Sequence, residues 1–210
     1  MKKPTPINEE IRLEPDRYIV SKTDTKGFIT FANTYFCYIC GYSADELLGS
    51  PHSIIRHPDM PRLAFKMMWD EINQGHDFIA LVKNLAKDGR YYWVMTEFRP
   101  YRDPLSGEIY EHTAYRKAPP RSAIETIAPI YAKLLEAEKT GGIKASKKIL
   151  DELLASKGKT YKEWILELTL RKDTFTDNFF RTMRNIFNRG EIWNFALFIV
   201  VVRNNSDKAI

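Results

Sequence analysis

Cysteine is almost missing from this chain: 210 residues hold two, Cys37 and Cys40, in the stretch Phe-Cys-Tyr-Ile-Cys. So few thiols exclude a disulfide framework. The spacing raises a redox pair or half a zinc site. Yet there is no second cysteine pair, and the four histidines, at 52, 57, 76 and 112, lack ligand spacing. Two small apolar side chains on one short helix is the plainer reading. Long apolar runs are also scarce. Residues 1–17 are polar and lack the apolar core of a secretory signal, so a reducing cytoplasm is the expected compartment. The longest apolar run, 192–202, is broken only by Asn194. It falls short of the ~20 residues that cross a bilayer and reads as a buried helix, a strand or a docking segment. Catalytic signatures are absent as well: no Ser/His/Asp arrangement, no phosphate-cradling glycine loop, no paired-carboxylate motif. Every histidine precedes residue 113, which leaves no phospho-acceptor box behind it. The expectation is a protein that is not an enzyme.

The chain is mildly basic at +5, and the excess is uneven. Residues 1–120 carry 16 basic and 16 acidic side chains, and the remaining 90 carry 16 and 11. The surplus is scattered in short pairs such as Lys147-Lys148 and Arg171-Lys172. That distribution fits solvated helix faces rather than a nucleic-acid surface. A hydrophobic fraction of 44% supports a proper core, and 13% aromatics leaves rings for a pocket that takes a flat ligand.

Residues 1–17 read as a leader. Residues 18–23 and 28–31 read as strands around the turn at Asp24-Thr-Lys-Gly27, a hairpin. Asn33 is placed to cap a helix through Cys40, and Gly41 to end it. Ser43-Ala-Asp-Glu46 is a capping box that opens a short helix stopping at Gly49. After Pro61 the spacing of Leu63, Phe65, Met67, Met68, Trp69 and Ile72 predicts a longer helix. Strands follow at 78–85, 91–100 and 109–116, the first two joined by a turn at Lys87-Asp-Gly-Arg90. Two strands, several short helices and three strands make an α+β domain with a five-stranded antiparallel sheet over 18–117. Ala118-Pro-Pro120 is the boundary, and 121–210 reads as an all-α region, with breaks at Thr140-Gly-Gly142, Lys157-Gly158 and Gly190.

The most distinctive stretch is Arg56-His-Pro-Asp-Met-Pro61, a planar cation, a titratable ring and a carboxylate within four residues. Such groups suit a ligand with polar edges and negative charge. With Phe31-Ala-Asn33, Gly41-Tyr42, Glu46-Leu47, Gly49, Pro51-His52, Met68-Trp69, Val82-Lys-Asn84, Lys87-Asp-Gly89 and Tyr92-Trp-Val94, the segment 19–116 resembles the flavin-binding PAS domain of bacterial aerotaxis and energy-taxis receptors. The likeness covers about half the chain.

That resemblance implies a PAS fold that holds FAD without a covalent bond and passes its redox state to the chemotaxis machinery. It implies that Arg56, His57 and Asp59 support FAD binding, that Trp69 packs near the isoalloxazine, and that Asn33 and Asn84 offer amide hydrogen bonds. Phe78 stands where the family pattern carries a tryptophan, keeping a stacking ring and losing an indole N–H. The full-length receptors continue through membrane helices to a signalling coiled coil. The chain is therefore similar to the separate PAS subunit of split energy-taxis systems, which acts at the inner membrane face with a membrane-bound receptor. Self-association through the PAS domain and the C-terminal helices is expected too. Each residue keeps a plainer role: an Arg56–Asp59 ion pair, a His57 helix cap, Trp69 in the core, Asn33 as N-cap, Asn84 at a strand end. A cofactor-free dimerisation module and a haem-binding gas sensor using His57 or His52 are the alternatives. No cysteine lies in Ser53-Ile-Ile55, so a light-driven flavin adduct is not expected.

Overall fold

The structure, a computed structural model, describes residues 3–170. The chain divides into two units, Met1–Thr169 and Leu170–Ile210. The helical stripe expected at 175–187 and the apolar run at 192–202 lie outside the described residues.

Five strands build one antiparallel sheet: β1 (Ile19–Thr23), β2 (Ile29–Ala32), β3 (Phe78–Leu85), β4 (Tyr91–Arg102) and β5 (Ile109–Lys117). Their spatial order is β2-β1-β5-β4-β3, so the first and last segments of the domain meet at its centre. The insertion between β2 and β3 supplies the other layer: α1 (Thr34–Cys40), α2 (Ala44–Leu47), a 3₁₀ turn (His52–Ile55) and α3 (Arg62–Ile72). The α+β fold class is the expected one, and its bounds follow local chemistry. Asn33 caps α1 by accepting from the Phe36 amide, and Gly41 ends it at φ 72°. The Ser43–Glu46 capping box is present in both directions. Pro61 stands as N-cap of α3.

Strand register decides which side chains face the helices. Phe98 pairs with Phe78 on one side and Ala114 on the other, and Arg116 lies opposite both Ile19 and Thr96. With a period of two, Ser21, His112, Ala114, Arg116, Phe98 and Asn84 then share the sheet face turned toward α3.

The helical region begins at Arg121, one residue past the expected Pro-Pro boundary. Helix α4 (Arg121–Lys157) includes Gly142 at φ 65°, ψ −163°, a kink at the predicted Gly-Gly break. It ends at Gly158 in the left-handed conformation and leads to α5 (Tyr161–Thr169). Both helices pack on the sheet domain within the first unit. Tyr161 stacks on Phe78 with ring centres 5.5 Å apart, and Tyr131 donates its hydroxyl to the Leu81 carbonyl at 2.9 Å. That bond covers part of the open edge of β3. Full burial of Ile165 contributes about 1.5–3 kcal/mol to this docking. The N-terminal segment is tied down as well: Ile7 N–H donates to Gly89 O and Ile11 N–H to Tyr91 O, which lays it along the start of β4.

Candidate functional site

A cavity of about 250 Å³ lies between the inner sheet face and α3. Its floor is formed by Ser21, Asn84, Phe98, His112 and Arg116. Helix α3 provides the opposite wall through Phe65, Met68, Trp69 and Ile72, and Gly27 and the 51–56 segment close the rim. Gly27 has to be glycine: its φ is +87°, and a Cβ there would meet the Trp69 ring at 3.1 Å.

Arg116 dominates the floor. The residue is 2% exposed, and among the described residues no carboxylate pairs with it. One guanidinium nitrogen donates to Ser21 Oγ at 2.9 Å and another to His52 Nε2 at 2.8 Å. A guanidinium only donates, so Nε2 of His52 is the unprotonated nitrogen and the ring is neutral. Burial first, and the Arg116 charge second, push His52 down to about 3. Burial also pulls Arg116 down to about 10, which leaves it charged at neutral pH. A buried cation resting on two neutral partners is costly without an anion.

Two further polar groups in the wall lack a partner at full hydrogen-bond geometry. Asn84 Nδ2 has no partner at full hydrogen-bond geometry, although the residue is 4% exposed. Neither ring nitrogen of His112 has one either. Burial holds His112 below the usual histidine range, and the Asp24 backbone and the Asp24 and Glu111 charges act against it. The ring meets Trp69 edge-on at 5.7 Å.

The residues singled out in the sequence separate into groups. Trp69, Asn84 and Arg56 line the cavity. Arg56 is joined to Asn84 by an isolated antiparallel bridge, and its guanidinium lies 4.1 Å from the Phe65 ring centre. His57 and Asp59 are not among the lining residues. His57 is buried, and its Nδ1 accepts the Asp59 amide at 3.1 Å. Burial first, then Lys83, lower it to about 4, against the pull of Asp59. Asp59 pairs with Lys83 at 2.6 Å. Asn33 is fully used by the backbone: its Oδ1 accepts from Val20 and Phe36, and its Nδ2 donates to Tyr18 O. Phe78 is packed between Phe98 and Tyr161. Both cysteines are free thiols, and burial pushes Cys40 up to about 12.

Sequence reasoning did not select Arg116, Ser21 or His112. The available signal was register: alternate residues of 109–117 share a face with the apolar Ile19 strand, and a charge there is out of place.

The sheet order and the helical insertion define the class: residues 29–112 match the PAS fold family and form a PAS domain. The chain is similar to the aerotaxis receptor of Escherichia coli (strain K12), 36% identical over 146 residues, 70% of this chain and 27% of that protein. It is also 31% identical over 98 residues to a nitrogen fixation regulatory protein of Klebsiella pneumoniae, covering 47% of this chain and 20% of the relative. A third relative is the biofilm dispersion protein BdlA of Pseudomonas aeruginosa, 31% identical over 81 residues, 38% of this chain and 19% of that one. The chain thus spans roughly a fifth to a quarter of the length of these curated relatives. Among solved structures, the light-state Aureochrome1 LOV domain aligns with a TM-score of 0.45 at 22% identity, over 60% of this chain and 91% of that one. Drosophila melanogaster Cycle PAS-B aligns at 0.44 and 19%, over 48% and 98%. No helix among the described residues is long and apolar enough to cross a membrane.

Proposed function

We propose that the cavity holds the isoalloxazine ring of FAD, and that the chain is a redox sensor of the energy-taxis kind. It passes its state by protein contacts to a membrane-bound chemotaxis-type receptor, working on the cytoplasmic side of the membrane. The observation that carries this reading is Arg116, a buried cation without a carboxylate, in the floor of a cavity with flat aromatic walls. Similarity to the aerotaxis receptor supports the signalling context.

The residues present fit a flavin. Asn84 Nδ2, which has no partner at full hydrogen-bond geometry, can donate to a ring carbonyl, and its oxygen can accept from a ring N–H. Trp69 and Phe98 offer apolar surface to a flat tricycle. Arg116 holds a fixed positive charge where electron gain adds negative charge, which raises the potential of the bound group. A bound flavin supplies a reversible electron carrier whose charge and protonation change on reduction. The chain's own part is to register that change. Asn84 is bridged to Arg56, and the opposite wall is α3, whose first turn is held by α4. A shift at the cavity therefore biases the packing of the C-terminal helices, where a partner or a second copy docks.

The test is an absorption spectrum of the purified chain, followed by acid release and identification of the chromophore. The two-band near-ultraviolet and blue absorption of oxidised flavin, with FAD released, is the expected result. A Soret band would move the assignment to haem, with His52, which lines the cavity, or His57 the ligand to test. A protein still colourless after incubation with FAD would leave a cofactor-free interaction module.

A further inference from the structure

A histidine on a buried sheet face has two ring nitrogens to satisfy, one of which donates while the other accepts. His112 satisfies neither. It stands opposite Thr23 of β1 and Pro100 of β4, in line with Ala114 and Arg116, and lines the cavity beside Trp69. The residue is 4% exposed, and both nitrogens lack a partner at full hydrogen-bond geometry. Packing against Trp69 does not account for the choice. An apolar side chain would fill the same space without leaving two polar atoms dry.

The charged groups around this ring sit on three elements. Its own strand carries Glu111, which pairs with Lys22 of β1 at 2.9 Å, and Arg116, which donates to Ser21 and His52. The β1–β2 turn brings Asp24, whose Oδ1 accepts the Lys26 and Phe28 amides, and Lys26, which lines the rim. Strand β4 presents Pro100 and α3 presents Trp69, and neither titrates. Burial holds the ring below the usual histidine range, so it is neutral at pH 7, while Asp24 and Glu111 pull the other way. The other histidines are committed. Nε2 of His52 accepts from Arg116, His57 accepts the Asp59 amide away from the cavity, and His76 pairs with Glu71 at the surface. Among the described residues, His112 is therefore the imidazole that faces the cavity with both nitrogens to spare.

We propose that His112 is the group that takes up a proton when the flavin in this cavity is reduced. The inference rests on the reading of the cavity as a flavin site. An external reductant gives up two electrons, which enter the ring system with one solvent proton and leave it with one negative charge. A second solvent proton forms an N–H bond at the free nitrogen of His112, and no other bond forms or breaks. The physical ground is electrostatic. A negative charge at about 4–6 Å favours the protonated form of a base by about tenfold or more. His112 is held neutral by burial, and two carboxylates already act against that, so one more negative charge is enough to tip it. The uptake puts a charge on the sheet beside Trp69 of α3, which gives the helix a second signal besides the flavin itself.

The experiment loads the full chain with FAD and titrates it in two ways. The midpoint potential is followed from about pH 5 to 8, where imidazole gains its charge, in wild type and His112→Gln. Wild type is expected to take up two protons per two electrons over part of this range, and the variant one. The His112 ring resonance is then titrated by NMR in oxidised and dithionite-reduced wild type, assigned by its loss in His112→Gln. Its proton affinity is expected to rise about tenfold or more on reduction. A variant that keeps the wild-type slope, or a His112 that titrates at the same pH in both states, would overturn the proposal and leave the flavin site standing. Should the variant not hold flavin, the wild-type resonance decides alone, assigned by elimination through variants of His52, His57 and His76. If wild type takes no flavin, the reading of the cavity fails and the proposal with it.

Discussion

Arg116 is the residue on which stability and binding part company. Buried and paired only with neutral groups, it lowers the stability of the ligand-free fold. Arg116→Met keeps most of the volume and removes the charge. Ser21 Oγ and His52 Nε2 are 3.3 Å apart and can then pair with each other. The thermal midpoint of the ligand-free variant is expected to equal or exceed that of wild type, while FAD affinity falls at least about tenfold. Calorimetry beside a flavin titration checks both, and a large drop in midpoint with affinity retained would refute the role. The histidines make a pH prediction. In the fold, His52 titrates at about 3 and His57 at about 4, both below the ordinary 6.5. Their folded pKa values are depressed, so below about pH 6.5 the unfolded chain takes up protons that the fold refuses. Stability is therefore full above that pH and is lost as pH falls, through about 4 for His57 and about 3 for His52. Urea unfolding at stepped pH should show His57→Gln taking about one proton out of the slope in this window.

At the scale of elements, the contact between α4 and α3 matters most. Pro61 cannot cap α3 with a side chain, and Glu138 does so from 76 residues away, through both carboxylate oxygens. A carboxylate at a helix N-terminus satisfies orphan amides and complements the helix dipole. Glu138→Ala should cost about 1–3 kcal/mol in urea unfolding, and Glu138→Gln less, since its amide oxygen still accepts. Because α3 carries Phe65, Met68 and Trp69 into the cavity wall, the alanine variant should also bind flavin less tightly. The turn between β1 and β2 acts from the other side. Gly27→Ala forces a Cβ toward Trp69 at positive φ, and tryptophan fluorescence and flavin affinity should change together.

For the whole molecule, local rules carried the reading of the fold a long way. Asn33, Gly41, the Ser43–Glu46 box and Gly158 each mark an element end through chemistry contained in a few residues. The Gly-Gly break in α4 was legible for the same reason. The site was less so, because its parts come from distant segments. Ser21, His52 and Arg116 meet only when β1 pairs with β5, and nothing local in 109–117 announces that the arginine faces inward. The motif around Arg56 was conspicuous, yet only Arg56 of its three polar groups lines the cavity. His57 and Asp59 instead hold the loop shape through the Asp59 amide and Lys83. The N-terminal segment, expected as a leader, carries too little pattern to betray its pairing with β4. The central claim is that a flavin sits on the Arg116 face of this sheet, and the most direct test is the flavin released per chain from wild type and Arg116→Met prepared side by side. Equimolar FAD from wild type and almost none from an equally stable variant is the predicted result. No flavin from wild type after reconstitution, or equal amounts from both, would contradict it.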